Sequence, residues 1–135
     1  KQVMLQEVGA QLPMERVHFV GKVPYSAYLN LLQVSACHVY LTYPFVLSWS
    51  CLESMAAGCA MVASNTPPVQ EFIQNEKNGW LVDFFDAQHI SQQVVEVLKE
   101  QNSPAVQTMR HNARQTVVTH CTPQTITKAW QELLE

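Results

Sequence analysis

Charge is scarce in this chain, and the scarcity removes several function classes at once. Of 135 residues, 14% are charged, and the formal net charge is −3. Such a surface has nothing with which to neutralise a phosphate backbone, so no nucleic-acid partner is expected. No apolar run reaches the length of a membrane span, and no Lys/Arg-rich amphipathic stretch suits a membrane surface. The four cysteines, Cys37, Cys51, Cys59 and Cys121, form no CxxC pair. Three of them lie in apolar segments, so buried free thiols in a reducing cytosol are expected in preference to a disulfide framework. No signal peptide is expected, and no internal repeat or low-complexity tract is present in these residues. The chain opens KQVMLQ without an initiator Met and reads as a piece of something longer. What it does have is 47% hydrophobic residues, enough for one domain with a real core.

Strands alternate with helices along the chain. Lys1 to Ala10 reads as the end of a helix. Val17 to Val20, β-branched and aromatic and closed by Gly21, reads as a strand. Pro24 suits the first turn of a helix, and Tyr25, Tyr28, Leu29 and Leu32 then follow helical spacing. Cys37 to Leu41 is the next strand. Ser48 or Ser50 starts a helix that ends at Gly58, a natural left-handed residue. Ala60 to Ala63 is another strand, and Asn65-Thr66-Pro67-Pro68 predicts a loop before a short helix through Ile73. A turn at Asn78-Gly79 leads to a brief strand at Trp80 to Val82. Asp86 is a fair N-cap for a helix with Ile90, Val94, Val97 and Leu98 on its apolar face. Val106, Met109, Ala113 and Val117 mark another helix. Thr122-Pro123 caps a last one, bearing Ile126, Trp130, Leu133 and Leu134. The alternation implies α/β architecture with a parallel sheet, on which the helical tail after residue 86 should pack.

Between His38 and Ala63 there is one acidic residue, Glu53. It falls just past a strand-to-helix loop, where open α/β sheets bind ligands. An unpaired buried carboxylate is costly, so Glu53 needs a local backbone partner or a ligand. Ser50-Cys51-Leu52-Glu53 fits the S-x-x-E capping box, a structural alternative to ligand binding. The helix start decides between them: with Ser48 as the cap, Glu53 sits in the second turn and cannot close the box.

The ordered set VHFVGKVP, LLQVSACHVYLTYPF, LESMAAGCAMVAS and QEFIQNEKNGWLVDFFDAQHI resembles the nucleotide-binding domain of family-4 (group 1) glycosyltransferases. The likeness runs from about Val17 to the C-terminus. It implies the GT-B fold, in which two Rossmann-like domains bind the donor in their cleft. It also implies a retaining, metal-independent enzyme that uses a nucleotide-diphosphate sugar and no cofactor. The family carries two glutamates eight positions apart, falling here on Phe45 and Glu53. The second accepts hydrogen bonds from the donor ribose, which suits an ionised carboxylate facing a vicinal diol. The first faces the donor sugar, and Phe45 cannot replace it. The loop glycines are likewise changed, to Val46 and Ser48. The resemblance therefore leaves the diphosphate and sugar to the backbone of Phe45, Val46, Leu47, Ser48 and Trp49, at a helix N-terminus that attracts anions. Gly21, Lys22 and Val23 occupy the turn that lines the base pocket. Pro67-Pro68 stands where members often carry Gly-Gly.

Other polar residues read as structural. Glu71 is expected to satisfy loop amides. His18 and His38 are expected as core residues in strands, and Tyr25, Tyr28 and Trp130 as core on helix faces. No His pair has metal-ligand spacing, and no Ser or Thr has a His–Asp signature beside it.

Family members begin this domain with two further strands and pair it with an acceptor-binding domain, and neither is matched here. Residues 1–135 are thus expected to be an incomplete nucleotide-sugar-binding domain, inactive alone, with a nucleotide sugar and an N-terminal acceptor domain as partners. Strand order 3-2-1-4-5-6 would leave Val17–Val20 parted from the Cys37 strand, and exposed sheet edges favour oligomers. A cytoplasmic location is expected, with membrane association left to the missing part. A non-catalytic nucleotide-sugar module and a GT-B sugar-nucleotide epimerase are the alternatives.

Overall fold

The computed structural model describes residues 6–7, 11–43 and 46–134. The expected helix end over residues 1–10 falls mostly outside them, although Gln6 and Glu7 are helical. After a 3-10 turn at Met14–Arg16 the elements run α1 (Tyr25–Val34), β1 (His38–Tyr40), α2 (Trp49–Ala56), β2 (Met61–Ser64), α3 (Pro67–Gln70), β3 (Trp80–Val82), α4 (Ala87–Lys99), α5 (Pro104–His120) and α6 (Pro123–Leu134).

The three strands form one sheet in the order β1-β2-β3. Both pairings are parallel, with Val39 beside Val62 and Ala63 beside Leu81. These are the neighbours expected of the fourth, fifth and sixth strands of the doubly wound order. β2 is buried along its whole length, as a central parallel strand covered on both faces must be. Its side chains alternate. Met61 and Ala63 join a core with Leu32, Cys51, Met55, Val69, Ile73 and Ala113, while Ala60 and Val62 join Val82, Val97 and Val106 on the other face.

Local chemistry explains the helix ends. Gly58 takes φ +75° and closes α2 in a full Schellman motif, with Gly58 N–H on the Met55 carbonyl and Cys59 N–H on the Ser54 carbonyl. Asp86 caps α4 by accepting from His89 N–H at 2.8 Å. Ser103 caps α5, with Pro104 behind it. From α5, Arg110 donates to the Gly58 carbonyl at 2.7 Å and Arg114 to that of Ala56, which pins α5 to the end of α2.

Several expectations fail, each for a physical reason. Val17–Val20 forms no strand: a β segment needs a ladder partner, and this one lies outside the sheet, with Val20 61% exposed. His18 is consequently exposed and is not a core residue. Pro67-Pro68 does not make a loop but opens α3, because the first helical positions need no N–H and favour the fixed φ of proline. That helix ends at Gln70, short of Ile73. Tyr25 and Trp130, at 61% and 60% exposed, are not core, and Leu98, Ile126 and Leu133 are also exposed. The tail packs only in part on the sheet: α4 touches β2 and β3, α5 packs chiefly on α2, and α6 leans on α5.

Candidate functional site

Because the strands are parallel, their carboxyl ends open on one side, and the segments after them meet there. A clasp ties two of these segments together. Ser64 Oγ, at the end of β2, accepts from Thr42 N–H at 3.0 Å and donates to the Thr42 carbonyl at 2.9 Å. Tyr40, the last residue of β1, accepts from Ser48 N–H at 2.8 Å and fixes the entry to α2.

Ser48 is the N-cap of α2: it is extended, and its Oγ accepts from Ser50 N–H at 3.3 Å. Glu53 therefore sits in the second turn, and the Ser50–Glu53 capping box does not form. Glu53 as a residue is half-buried, and its Oε1, at the exposed side, accepts from Tyr25 Oη at 2.9 Å. That hydrogen bond, then burial and the carboxylate charge, raises the Tyr25 phenol above its ordinary value. Tyr28, one turn along α1, has a buried hydroxyl with no partner among the described residues. Burial, followed by the nearby Glu53 charge, raises its pKa as well.

The other sequence-derived candidates distribute as follows. Gly21 takes φ +63° with nothing within 4 Å of where a Cβ would stand, so the turn is left-handed and open. Lys22 is exposed and Val23 half-buried. Two residues after Val23 comes Tyr25, whose bond to Glu53 brings this turn toward α2. Val46 and Trp49 are exposed, and Leu47 packs on the core. Phe45 lies outside the described residues. The backbone reading needs one correction: the Ser48 N–H is committed to Tyr40 and does not face a ligand.

Glu71 is also corrected. It is exposed, and among the described residues its carboxylate holds no loop amide. Asn78 does that work, its Oδ1 accepting from Gln74 N–H. Glu71 instead lines an open polar groove of about 700 Å³ with Lys77, Asn112 and His120. The groove is lined by the segment that precedes β3 and by α5, and Glu53 is not part of it.

Residues that sequence spacing did not single out complete the mouth. Tyr43 follows β1, and Phe84 and Phe85 follow β3. Their ring centroids lie 5.6, 5.0 and 5.1 Å apart, in one stacked and two edge-on pairs. The flanking strands thus join aromatic groups across the end of β2. Thr66, which follows β2, has a buried hydroxyl with no partner among the described residues. Its usual capping partners are gone, since Pro68 has no N–H and Val69 N–H bonds the Thr66 carbonyl.

Cys51 and Cys59 are buried free thiols and Cys37 and Cys121 half-buried ones. Desolvation pushes Cys51 up to about 12 and Cys37 to about 11. Among the described residues no three His, Cys, Asp or Glu gather to hold a metal ion, and no helix is long and apolar enough to cross a membrane.

A parallel α/β sheet with an acid on the helix after a flanking strand has the arrangement of doubly wound domains, which bind ligands at the carboxyl ends of their strands. The family profile described as "Glycosyl transferases group 1" matches residues 3–116, and the chain belongs to that family. Among solved structures it is similar to a sucrose-phosphate synthase from Thermosynechococcus elongatus, at 24% identity and TM-score 0.78, covering 98% of this chain and 32% of that one. It is also similar to HepE of Anabaena, crystallised with UDP, at 20% identity and TM-score 0.81, covering 98% and 36%. The C-terminal domain of the group 1 glycosyl transferase LpcC from Francisella tularensis matches at 20% and 0.73, covering 91% and 63%. The fold is that of GT-B C-terminal domains. The chain spans about a third of the first two structures. No curated protein matches this chain significantly.

Proposed function

We propose that this chain is the donor-binding part of a retaining, metal-independent family-4 glycosyltransferase. The parent protein moves a sugar from a nucleotide-diphosphate sugar to an acceptor hydroxyl held by a separate N-terminal domain. The supporting observation is Glu53: it is freed from the capping box by Ser48 and half-buried at the carboxyl side of the sheet. An ionised carboxylate there can accept from both hydroxyls of a pentose. Gly21, Lys22 and Val23 supply the turn that meets the base, and the backbone of Val46, Leu47 and Trp49 at the entry to α2, without the committed Ser48 N–H, meets the diphosphate. The UDP bound by HepE is the kind of leaving group this reading requires. In such chemistry the departing phosphate assists attack on the same face, so no protein nucleophile is needed. The outer edge of β1 has no strand partner among the described residues, which supports pairing there with further strands or with another copy.

Glu53→Gln in the full-length protein tests the ribose assignment. Hydrogen bonds to a charged group contribute roughly 1.5–3 kcal/mol, so nucleotide affinity should fall about ten- to a hundredfold. Unchanged affinity removes Glu53 from the site. A panel of nucleotide sugars identifies the donor: at a hundredfold excess over its Kd it should stabilise the protein by about 2.7 kcal/mol.

Phe45, standing where the family carries its first glutamate, favours a second reading, a nucleotide-sugar module that binds without transfer. Binding without turnover in the full-length protein selects it.

A further inference from the structure

The geometry points to Tyr25 as a positioning residue for the pentose: its hydroxyl holds the Glu53 carboxylate in the orientation that receives the vicinal diol. The inference rests on the ribose reading of Glu53 and adds to it a residue that the family pattern does not mark and that helical spacing assigns to the core. Tyr25 is the first residue of α1, directly after the turn assigned to the base, and Glu53 is on α2. One hydrogen bond of 2.9 Å, from Tyr25 Oη to Glu53 Oε1, joins the two. An ionised carboxylate offers about four lone-pair sites. Tyr25 takes one of them on one oxygen, which leaves further lone pairs with which to receive a diol. A Glu side chain held this way is ordered before the ligand arrives, so binding forgoes less rotamer entropy.

A purely structural role fits Tyr25 poorly. Its ring is 61% exposed and takes no part in either core, so the hydroxyl contributes little to folding. A second feature marks the same corner as polar. Tyr28, with its ring 6.1 Å from that of Tyr25, brings a buried hydroxyl close to Glu53 and Ser54 that completes no well-formed hydrogen bond among the described residues. Buried hydroxyls ordinarily have partners, and a ligand hydroxyl, at once donor and acceptor, suits a site with a carboxylate and a phenol.

The test is calorimetric titration of the full-length protein with UDP, GDP and ADP and with their 2′,3′-dideoxy forms. Tyr25→Phe removes one oxygen and keeps the ring. Binding of the preferred ribonucleotide should weaken by about three- to tenfold, the scale of one lost hydrogen bond. Binding of its dideoxy form should not change, so the preference for the diol narrows, a readout that simple destabilisation leaves alone. In a Glu53→Gln background the same substitution should add nothing. Unchanged ribonucleotide affinity in Tyr25→Phe overturns the inference while the ribose reading stands. Tighter binding also overturns it, by showing that the phenol competes with the ligand. If the unaltered protein ignores the diol, or if Glu53→Gln is silent, the ribose reading fails and takes this inference with it.

Discussion

Ser64 and Thr42 hold each other by two hydrogen bonds through a single hydroxyl, which accepts from the Thr42 amide and donates to the Thr42 carbonyl. The pair does for the carboxyl ends of β1 and β2 what another rung of ladder would do. It also sets the start of the loop that leads to α2 and Glu53. Ser64 is wholly buried, so nothing from solvent replaces its oxygen.

Ser64→Ala should therefore destabilise the protein by about 1–3 kcal/mol, because it leaves a backbone donor and acceptor unpaired. Urea unfolding measures it through a lower midpoint at constant slope. A change under about 0.5 kcal/mol, typical of an ordinary surface site, would show that the clasp is dispensable.

Asn78 does comparable work before β3. Its Oδ1 accepts from Gln74 N–H at 2.7 Å, and its Nδ2 donates to the Phe72 carbonyl and to Thr116 Oγ1, both at 2.9 Å. Asn78→Ala removes all three bonds from a side chain that is 6% exposed. The expected cost is about 3 kcal/mol. Thr116→Ala takes away one partner and should cost about 1 kcal/mol. Equal losses in the two variants would contradict a network centred on Asn78.

The pH profile of stability should fall on both flanks. Burial lowers His38 below 6.5 in the fold, so the unfolded chain takes up its proton first. Stability from this residue is present above pH 6.5 and is lost as pH falls through the depressed value. Cys37 and Cys51, raised to about 11 and 12 from 9.0, act at the other end. The unfolded chain releases their protons first, so stability is full below pH 9 and declines as pH rises toward 12. Cys37→Ser and Cys51→Ser should each flatten the alkaline limb and His38→Gln the acid limb, read by denaturant titration across pH. An alkaline limb that is unchanged in both variants excludes Cys37 and Cys51 as its source and leaves the thiol of Cys59, also raised by burial.

Where the pattern is short-range, the chain could be read directly. Trp80–Val82 is the strand expected, Asp86 caps its helix, Gly58 closes α2 in the left-handed conformation, and Ser48 settles the position of Glu53. Each depends on neighbours within a few residues. Val17–Val20 has the composition of a strand and is not one, because composition cannot provide a ladder partner. The α6 face of Ile126, Trp130 and Leu133 has helical spacing, yet these residues stay exposed, since periodicity identifies a face and does not say what covers it.

The amino-acid order alone determined most of the alternation of strands and helices, the caps and the isolation of one acid in an apolar stretch. All of these follow from steric preference, local hydrogen bonding and the side-chain period. Only the folded chain decided that Tyr25, 28 residues away, would donate to Glu53, that Tyr43 would meet Phe84 and Phe85 across β2, and that Asn78 rather than Glu71 would bind the loop amides. The first two contacts join segments that are distant in sequence, and the aromatic one exists because parallel pairing brings the carboxyl ends of separate strands to one edge; Asn78 binds within its own loop and is held from afar by Thr116.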